Sequence, residues 1–311
     1  MPILTEEKRI KLLGGLYGAL VGDAVGVPYE FNHPNRLPPF DQLDMIPPKG
    51  FNRTWPNIQI GTYSDDGAQL LCHLEVQLNK GTAGDLLASL KRWAHEGYMS
   101  VDNNTFDIGN QTSMALHGMA TREELMMREM SGNGSLMRCL PAALTARIDV
   151  EAFMNGYEQS QPTHPSYLCS LTCGVYAVTA YYLLNYIGDI DIAVKRAFSV
   201  VRNNSMIKLG DAELAELDFI EKAQANEPTG SGYVVNSFWS AIYSVRISKT
   251  YEETIKNAIA LGCDTDTTAC IAGGLAGLIH GVDGIPNEWL QRLRGRENIE
   301  PLARRMINEA R

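Results

Sequence analysis

Hydrophobic side chains recur along most of the chain at intervals of three and four residues, which is the period of an amphipathic α-helix. The first stripe of this kind consists of Leu13, Leu16, Tyr17, Leu20, Val21 and Ala24. The pattern continues over residues 67–80, 84–97, 110–119, 136–147, 166–187, 189–203, 211–225, 233–246, 251–262, 266–281, 286–294 and 299–310. This succession predicts an all-α fold.

A second stripe lies on the first predicted helix, where Gly14, Gly18 and Gly22 follow one another at intervals of four residues. Glycine lowers helix stability, because it loses more backbone freedom on folding than any other residue. A row of glycines along one face therefore predicts that another helix approaches this backbone closely.

Alternation between polar and apolar residues, the pattern of a β-strand, is scarce, and its best example is the short segment 58–63. The longest stretch without helical periodicity is 32–64, which is rich in Pro, Asn and Gly. A loop of this length inside a compact domain is often functional. No repeat or linker divides the chain, so we expect residues 1–311 to form a single domain.

Residues 165–188 carry no charge and are long enough to cross a membrane, which takes roughly 20 apolar residues. Serine, threonine and asparagine residues interrupt this segment, and no basic cluster flanks it. We therefore expect a central helix that is buried in protein, rather than contact with a membrane.

The formal net charge of −9 argues against a broad nucleic-acid-binding surface, because phosphates need Lys and Arg to neutralise them. The six cysteines include no CxxC pair and no zinc-finger spacing, and Cys169 and Cys173 lie in an apolar run as small hydrophobic residues do. The start of the chain lacks the basic and apolar parts of a secretory signal. We expect a reduced, cytoplasmic protein.

Two acidic clusters stand far apart in the sequence, each just before or at the start of a predicted helix. They are Ser64-Asp65-Asp66 and Asp264-Thr265-Asp266-Thr267. Each has an ordinary explanation as a helix cap, because Asp and Ser side chains accept hydrogen bonds from free N–H groups. A cap needs only one such residue, however, and neighbouring carboxylates repel one another. The oxygen-only side chains suit Mg²⁺, Mn²⁺ or Ca²⁺, and four carboxylates would balance two divalent ions.

Four further places combine polar residues with apolar surroundings. They are Glu30, Asp107, the segment Gly132-Asn133-Gly134-Ser135, and His164. Their structural explanations are a solvated loop acid, a helix cap, a turn and a structural histidine. The functional alternatives are a ligand or acid/base role for Glu30, a functional acid at Asp107, and phosphate binding by the backbone of 132–135 before a helix that begins near Leu136.

Taken in order, these motifs resemble the ADP-ribosylglycohydrolase family, particularly its bacterial dinitrogenase-reductase-activating branch. The resemblance extends from about residue 12 to residue 293. Its motifs are Gly-Ala-Leu-x-Gly-Asp-Ala-x-Gly-x-Pro-Tyr-Glu at 18–30, Ser64-Asp65-Asp66, Phe106-Asp107-Ile108-Gly109, Gly132-Asn133-Gly134-Ser135-Leu136-Met137-Arg138, Thr163-His164, Gly262-Cys263-Asp264-Thr265-Asp266-Thr267 and Ile285-Pro286-x-x-Trp289.

The resemblance implies an orthogonal bundle of helices with a binuclear Mg²⁺ or Mn²⁺ centre in a central cleft. The metal ligands that it implies are Ser64, Asp65, Asp66, Asp264, Asp266 and Thr267. Glu30 and Asp107 match acids at the metal or at the scissile bond. The residues that match those holding diphosphate and ribose are Asn133, Gly134, Ser135 and His164. The implied activity is hydrolysis that releases ADP-ribose from a modified protein side chain, with arginine typical of this branch.

The sequence departs from the family pattern after the first acidic pair. The family usually has Thr-Asp-Asp-Thr followed two residues on by Met, whereas Ser64 here keeps the hydroxyl, and Gly67 and Gln69 change the next helical turn. That change can alter substrate or metal preference. Cys263 stands at a common glycine, and we expect it only to pack.

Several alternatives to arginine-directed hydrolysis remain open at this point. The linkage that is cut could be to serine, to a nucleobase or to a small conjugate. A non-catalytic ADP-ribose-binding or immunity protein is a second class of function. A two-metal phosphoesterase is disfavoured, because such sites generally contain His ligands and the acidic motifs here contain none.

Overall fold

A computed structural model describes residues 4–310, and most of them are helical. The α-helices are α1 Glu6–Gly26, α2 Asp65–Leu78, α3 Ala83–Glu96, α4 Asn110–Leu116, α5 Arg122–Leu125, α6 Pro141–Leu144, α7 Asp149–Ser160, α8 Tyr167–Asn185, α9 Ile190–Asn203, α10 Asp211–Lys222, α11 Val234–Arg246, α12 Tyr251–Ala260, α13 Thr265–His280, α14 Asn287–Arg292 and α15 Arg296–Glu309. Within 4–310 the only β pairing is an isolated bridge between Gly132 and Tyr233. The all-α prediction is confirmed.

An antiparallel pair of helices, α1 and α13, forms the centre of the fold. Gly14 faces Gly277 near one end of the pair, and Gly22 faces Ala269 near the other. A Cβ atom added to Gly22 would collide with the carbonyl oxygen of Ala269. The two backbones are therefore in direct contact, as the glycine stripe predicted.

The long apolar segment forms α8, which packs against α7, α9, α10 and α11. Both α1 and α8 are long and apolar enough to span a membrane. In their most apolar 18-residue stretches, however, 78% and 94% of the residues are buried inside the protein. The hydroxyls of Thr172 and Thr179 donate to carbonyl oxygens one turn back along α8, so these polar groups are satisfied in the interior. Burial by neighbouring helices accounts for the apolar composition, as expected.

The prediction of one helix over 136–147 is wrong. Only Pro141–Leu144 is α-helical, and residues 134–138 form successive turns. Pro141 has no N–H group to donate to the carbonyl of Met137, and it stands at the start of α6, where a missing N–H donor is tolerated. The phosphate-binding hypothesis for 132–135 therefore rests on turn backbone rather than on a helix start near Leu136.

Two other predictions of secondary structure differ from the structure. Segment 58–63 is not a strand, because it is folded into turns in which Ile58 N–H donates to Trp55 O and Thr62 N–H to Gln59 O. Helix α7 was missed, although its buried residues Val150 and Phe153 are three positions apart as in an amphipathic helix. Short, partly polar helices of this kind give a weak periodic signal.

Three helix ends meet on one side of the molecule: the C-terminal end of α1 and the N-terminal ends of α2 and α13. Thr265 Oγ1 donates to the carbonyl oxygen of Gly26 at 2.9 Å, which joins α13 to α1. Thr267 Oγ1 donates to Asp66 Oδ2 at 3.2 Å, which joins α13 to α2. The N-terminal ends of helices carry partial positive charge and favour carboxylates nearby.

Candidate metal centre and substrate cleft

Seven carboxyl groups gather where these three helix ends meet, and we call them the acid cluster. They are Asp23, Glu30, Asp65, Asp66, Asp107, Asp264 and Asp266. One oxygen from each of Glu30, Asp264 and Asp266 lies within 4.8 Å of the others. The hydrogen bond from Thr267 to Asp66 brings the second acidic motif of the sequence against the first. The structure thus places both motifs in one site.

Asp23 fixes the start of α2. The N–H of Ser64 donates to Asp23 Oδ1 at 2.9 Å, and the N–H of Gly67 donates to Asp23 Oδ2 at 2.8 Å. Ser64 caps the helix, because its Oγ accepts the N–H of Asp66 at 3.3 Å. Asp23 was not among the predicted site residues, although a carboxyl group beside the apolar stripe of α1 was an available signal.

Gln69 connects the acid cluster to a buried cation. Its Nε2 donates to Asp65 Oδ2 at 3.0 Å, and its Oε1 accepts from Arg138 Nη1 at 2.8 Å. Arg138 is fully buried, and its other hydrogen bonds reach Gln159, Thr163 and the carbonyl oxygen of Gly134. The residue that departs from the family's methionine therefore orients one of the acids.

The acid cluster is electrostatically unbalanced. Burial, with repulsion from neighbouring carboxyl groups, raises the pKa of Asp65, Asp66 and Asp266 well above the usual range. In the described part of the chain, no salt bridge joins any member of the cluster to Lys or Arg. Burying a carboxylate without a positively charged partner costs free energy, so this site favours the binding of cations or protons.

Two buried oxygens in the cluster have no hydrogen-bond partner. They are Asp66 Oδ1 and Asp266 Oδ2. Buried polar atoms are nearly always paired, and an unpaired one calls for an explanation such as an ion. The surrounding donors are carboxylate and hydroxyl oxygens, which are the ligands that hard divalent cations prefer. The residues present therefore fit a divalent metal site.

Glu30 and Asp107 are a carboxyl pair at the edge of the cluster, and both line the cleft above it. Glu30 Oε2 accepts from Trp55 Nε1 at 2.6 Å. Burial, reinforced by the charge of Asp107, raises the pKa of Glu30 to about 10. Burial also raises the pKa of Asp107 to about 6. Trp55 comes from the long irregular loop and was not singled out from the sequence.

A cleft of about 600 Å³ opens above the acid cluster. Gly134 and His164 both line it, and they lie against each other, since a Cβ atom on Gly134 would be 2.9 Å from the His164 ring. His164 Nδ1 lies 2.7 Å from Thr163 Oγ1, and burial keeps the pKa of His164 well below its usual range, so its ring is neutral. A neutral ring can present one donor or one acceptor to a ligand.

The other two predicted substrate-binding residues are placed differently. Asn133 lines the cleft, but its Nδ2 donates to Asp264 Oδ2 at 2.7 Å and to Ser237 Oγ at 2.9 Å. Its side chain thus supports a member of the acid cluster. Ser135 is fully buried, and its Oγ accepts from Ser160 Oγ at 2.8 Å, so its side chain lies in the core rather than in the cleft.

Two residues of the cleft were missed or misjudged from the sequence. Gln111 Oε1 accepts the N–H of Gly132 at 3.2 Å, while its buried Nε2 has no partner and is a spare donor. Cys263 was expected only to pack, but it is exposed and lines the cleft. Its φ of 56° explains why glycine is common at this position, because few other residues adopt the left-handed region.

Comparison with known proteins agrees with this geometry. The chain is 29% identical to an ADP-ribosylarginine hydrolase, Tri1, of Pseudomonas putida, over 99% of this chain and 81% of that protein. It is 25% identical to the ADP-ribosyl-[dinitrogen reductase] glycohydrolase of Rhodospirillum rubrum, over 91% of this chain and 90% of that protein.

A solved structure and a family model match over nearly the same length. The structure, described as an ADP-ribosylglycohydrolase-related protein complex, superposes with a TM-score of 0.78 and 25% identity, over 99% of this chain and 100% of that one. The family model of ADP-ribosylglycohydrolase matches residues 4–311. The chain therefore belongs to the ADP-ribosylglycohydrolase family.

Proposed function

We propose that this protein is a metal-dependent hydrolase that removes ADP-ribose from a modified arginine side chain. The observation that carries the proposal is the acid cluster, whose unpaired buried oxygens lie beneath a cleft lined with hydrogen-bonding groups. The names of the relatives from Pseudomonas putida and Rhodospirillum rubrum support both the reaction and, for the first, the arginine linkage.

Six oxygen-bearing residues would hold two divalent cations, Mg²⁺ or Mn²⁺. They are Ser64, Asp65, Asp66, Asp264, Asp266 and Thr267. Bound there, the cations would neutralise the carboxylates and polarise a water molecule and the ribose hydroxyls. The protein's own part is to keep these oxygens fixed, through Asp23, Gln69 and Asn133, so that little reorganisation is needed when the substrate arrives.

The ADP-ribose moiety would lie in the cleft. The diphosphate is anionic, and the backbone N–H of Gly134 is suited to hold it, whereas the N–H groups of Gly132 and Asn133 already donate to Gln111 Oε1 and Gly232 O. Gln111 Nε2 and the neutral ring of His164 supply further hydrogen bonds to phosphate or ribose oxygens. The distal ribose would then rest on the acid cluster with its C1″ atom towards Glu30 and Asp107.

The carboxyl groups of Glu30 and Asp107 would act as the general acid and the general base. Hydrolysis breaks the bond between C1″ and the guanidine nitrogen, passes through an oxocarbenium-like state, and adds water to C1″. Burial beside Asp107 raises the pKa of Glu30, so this carboxyl group can hold a proton and deliver it to the departing nitrogen. Asp107, with a pKa raised to about 6, can accept a proton from the attacking water.

The test is a substrate panel with arginine-, serine- and nucleic-acid-linked ADP-ribose, each offered with Mg²⁺, with Mn²⁺ and after EDTA treatment. We expect arginine-linked ADP-ribose to be cleaved only when metal is present. Asp65→Ala and Asp266→Ala should lower the rate by a factor on the order of 10³ or more, because each removes a carboxylate that holds the cations.

The matched control is Asp41→Ala, which removes an exposed acid outside the cluster and should leave the rate unchanged. Full activity in both cluster variants would overturn the proposed site. Tight ADP-ribose binding by the metal-loaded protein without release of product would instead support a non-catalytic binding protein.

A further inference from the structure

Phe31 is an aromatic residue at the rim of the cleft, directly after Glu30. Its side chain is 64% exposed, and it lines the cleft together with Glu30 and Asp107. Single exposed apolar residues are ordinary on protein surfaces. Phe31 differs from these because its φ is 56°, a backbone conformation that is unfavourable for a residue with a bulky side chain.

Two backbone hydrogen bonds hold Phe31 in this conformation. Its N–H donates to Cys263 O at 2.6 Å, and the N–H of Cys263 donates to Asn32 O at 2.7 Å. Cys263 has positive φ as well and is followed directly by Asp264. Strained residues persist where the surrounding structure fixes them, and they concentrate at functional sites. Phe31 is thus attached to the acid cluster through Glu30 on one side and through Cys263 on the other.

Aromatic residues stand behind Phe31. Its ring centroid lies 6.4 Å from that of Trp55, and Trp55 meets Phe106 edge-on at 5.4 Å. Trp55 also donates its indole N–H to Glu30 at 2.6 Å. Trp55 therefore links the position of the Phe31 ring to that of Glu30, the carboxyl group that faces the scissile bond in the proposed function.

The surroundings of this ring are acidic. Glu30, Asp65, Asp107 and Asp264 line the cleft together with Phe31. An aromatic face beside carboxylates is the environment that a planar guanidinium ion prefers, because it stacks on the ring and is attracted by the acids. A neutral serine side chain would gain neither contribution.

We propose that Phe31 determines which leaving group the enzyme accepts. The guanidinium of the ADP-ribosylated arginine stacks on its ring, while Glu30 faces the scissile bond. This inference rests on the proposed function, since it assigns the partner of the arginine side chain within the same site. The competing occupant of the ring is the adenine base of ADP-ribose, which also stacks on aromatic side chains.

The experiment separates the two occupants by measuring substrate and product in parallel. Arginine-linked ADP-ribose gives KM and kcat, and calorimetry with free ADP-ribose gives a product Kd, both with metal-loaded protein. Phe31→Leu should raise KM for the arginine-linked substrate about fivefold, which corresponds to the loss of one cation–π contact. Its Kd for ADP-ribose should stay within about twofold of the wild-type value, while Phe31→Tyr, which retains the ring, should restore KM.

Phe40→Leu serves as the matched control, because Phe40 is 45% exposed in the same loop but does not line the cleft. An unchanged KM in Phe31→Leu overturns the inference, and so does a parallel loss of ADP-ribose affinity, which would assign the ring to adenine. A wild-type protein that fails to cleave arginine-linked ADP-ribose would sink the proposed function itself, so the two failures are distinguishable.

Discussion

Asp65 owes its orientation to a chain of hydrogen bonds that begins in the interior of the protein. The fully buried guanidinium of Arg138 donates to Gln69, and Gln69 donates to Asp65. Partners behind a metal ligand fix its rotamer and its charge, and removing them commonly weakens metal binding by about 10- to 100-fold. Gln69 is therefore expected to contribute to metal affinity although it is not itself a ligand.

We predict that Gln69→Met lowers the affinity for Mn²⁺ by about tenfold, as measured by calorimetry on the metal-free protein. Methionine nearly preserves the volume of the side chain but cannot bridge Arg138 and Asp65. Gln77→Met, on the same helix, should leave the affinity unchanged, because Gln77 contacts His73 rather than an acid of the cluster. Equal affinities in wild type and Gln69→Met would mean that Asp65 needs no support from Arg138.

Individual residues differ in how far the sequence could identify them. The acids stood out because two carboxylates in one short motif exceed what a helix cap needs. Trp55 and Gln111 gave no such signal, since their roles arise from contacts with Glu30 and Gly132 that only the fold creates. Ser135 shows the reverse case, because its motif pointed to the cleft while its side chain lies in the core.

At the scale of elements, the acid cluster depends on how closely α1 and α13 approach each other. A Cβ atom on Gly18 would collide with the carbonyl oxygen of Gly273, and one on Gly26 with the backbone of Asp266. The same packing therefore sets the distance between the ends of the two helices, from which Asp23 and Asp266 extend. The glycine stripe was legible in the sequence, but the partner helix was not, because nothing in a local pattern specifies which distant segment will pack there.

We predict that Gly18→Ala destabilises the protein by about 2–3 kcal/mol, the usual cost of overpacking a rigid contact. Chemical denaturation would measure this, and titration with Mn²⁺ should show weaker binding, because the two helix ends are forced apart. The control is Gly188→Ala, where an added Cβ meets nothing within 4 Å and stability should not fall. Equal stability of the two variants would show that α1 and α13 can separate without cost.

At the scale of the whole molecule, folding collects carboxyl groups from residues 23 to 266 into one buried site. The unfolded chain exposes these groups to water, where they ionise freely, so folding concentrates their repulsion. Bound cations or bound protons relieve it, and they compete for the same oxygens. The stability of the whole fold should therefore depend on metal and pH together.

We predict that the melting temperature of the metal-free protein rises as the pH is lowered from about 8 to about 6.5. Over this range an unfolded aspartate stays ionised, because its ordinary pKa is near 4, whereas in the folded protein burial raises the pKa of Asp23 to about 7. The folded state thus binds more protons, and lower pH favours it by up to about 1.4 kcal/mol per pH unit for each proton taken up. The range stops near 6.5 because burial lowers the pKa of His73 to about 4, so below this pH the unfolded chain takes up a proton at this ring that the folded protein does not, which offsets part of the gain from the acids.

Saturating Mn²⁺ should change this dependence, because the ions bind the ionised carboxylates of the folded state and protons displace them. The rise in melting temperature that Mn²⁺ produces should therefore be larger at about pH 8 than at about pH 6.5. Thermal denaturation in EDTA and in Mn²⁺ at both pH values gives the four melting temperatures that are needed. Asp66→Asn removes one buried charge from the cluster, so the metal-induced rise in melting temperature should differ less between the two pH values in this variant. If Mn²⁺ raised the melting temperature by the same amount at both pH values, the cations would have to bind elsewhere than on the acid cluster.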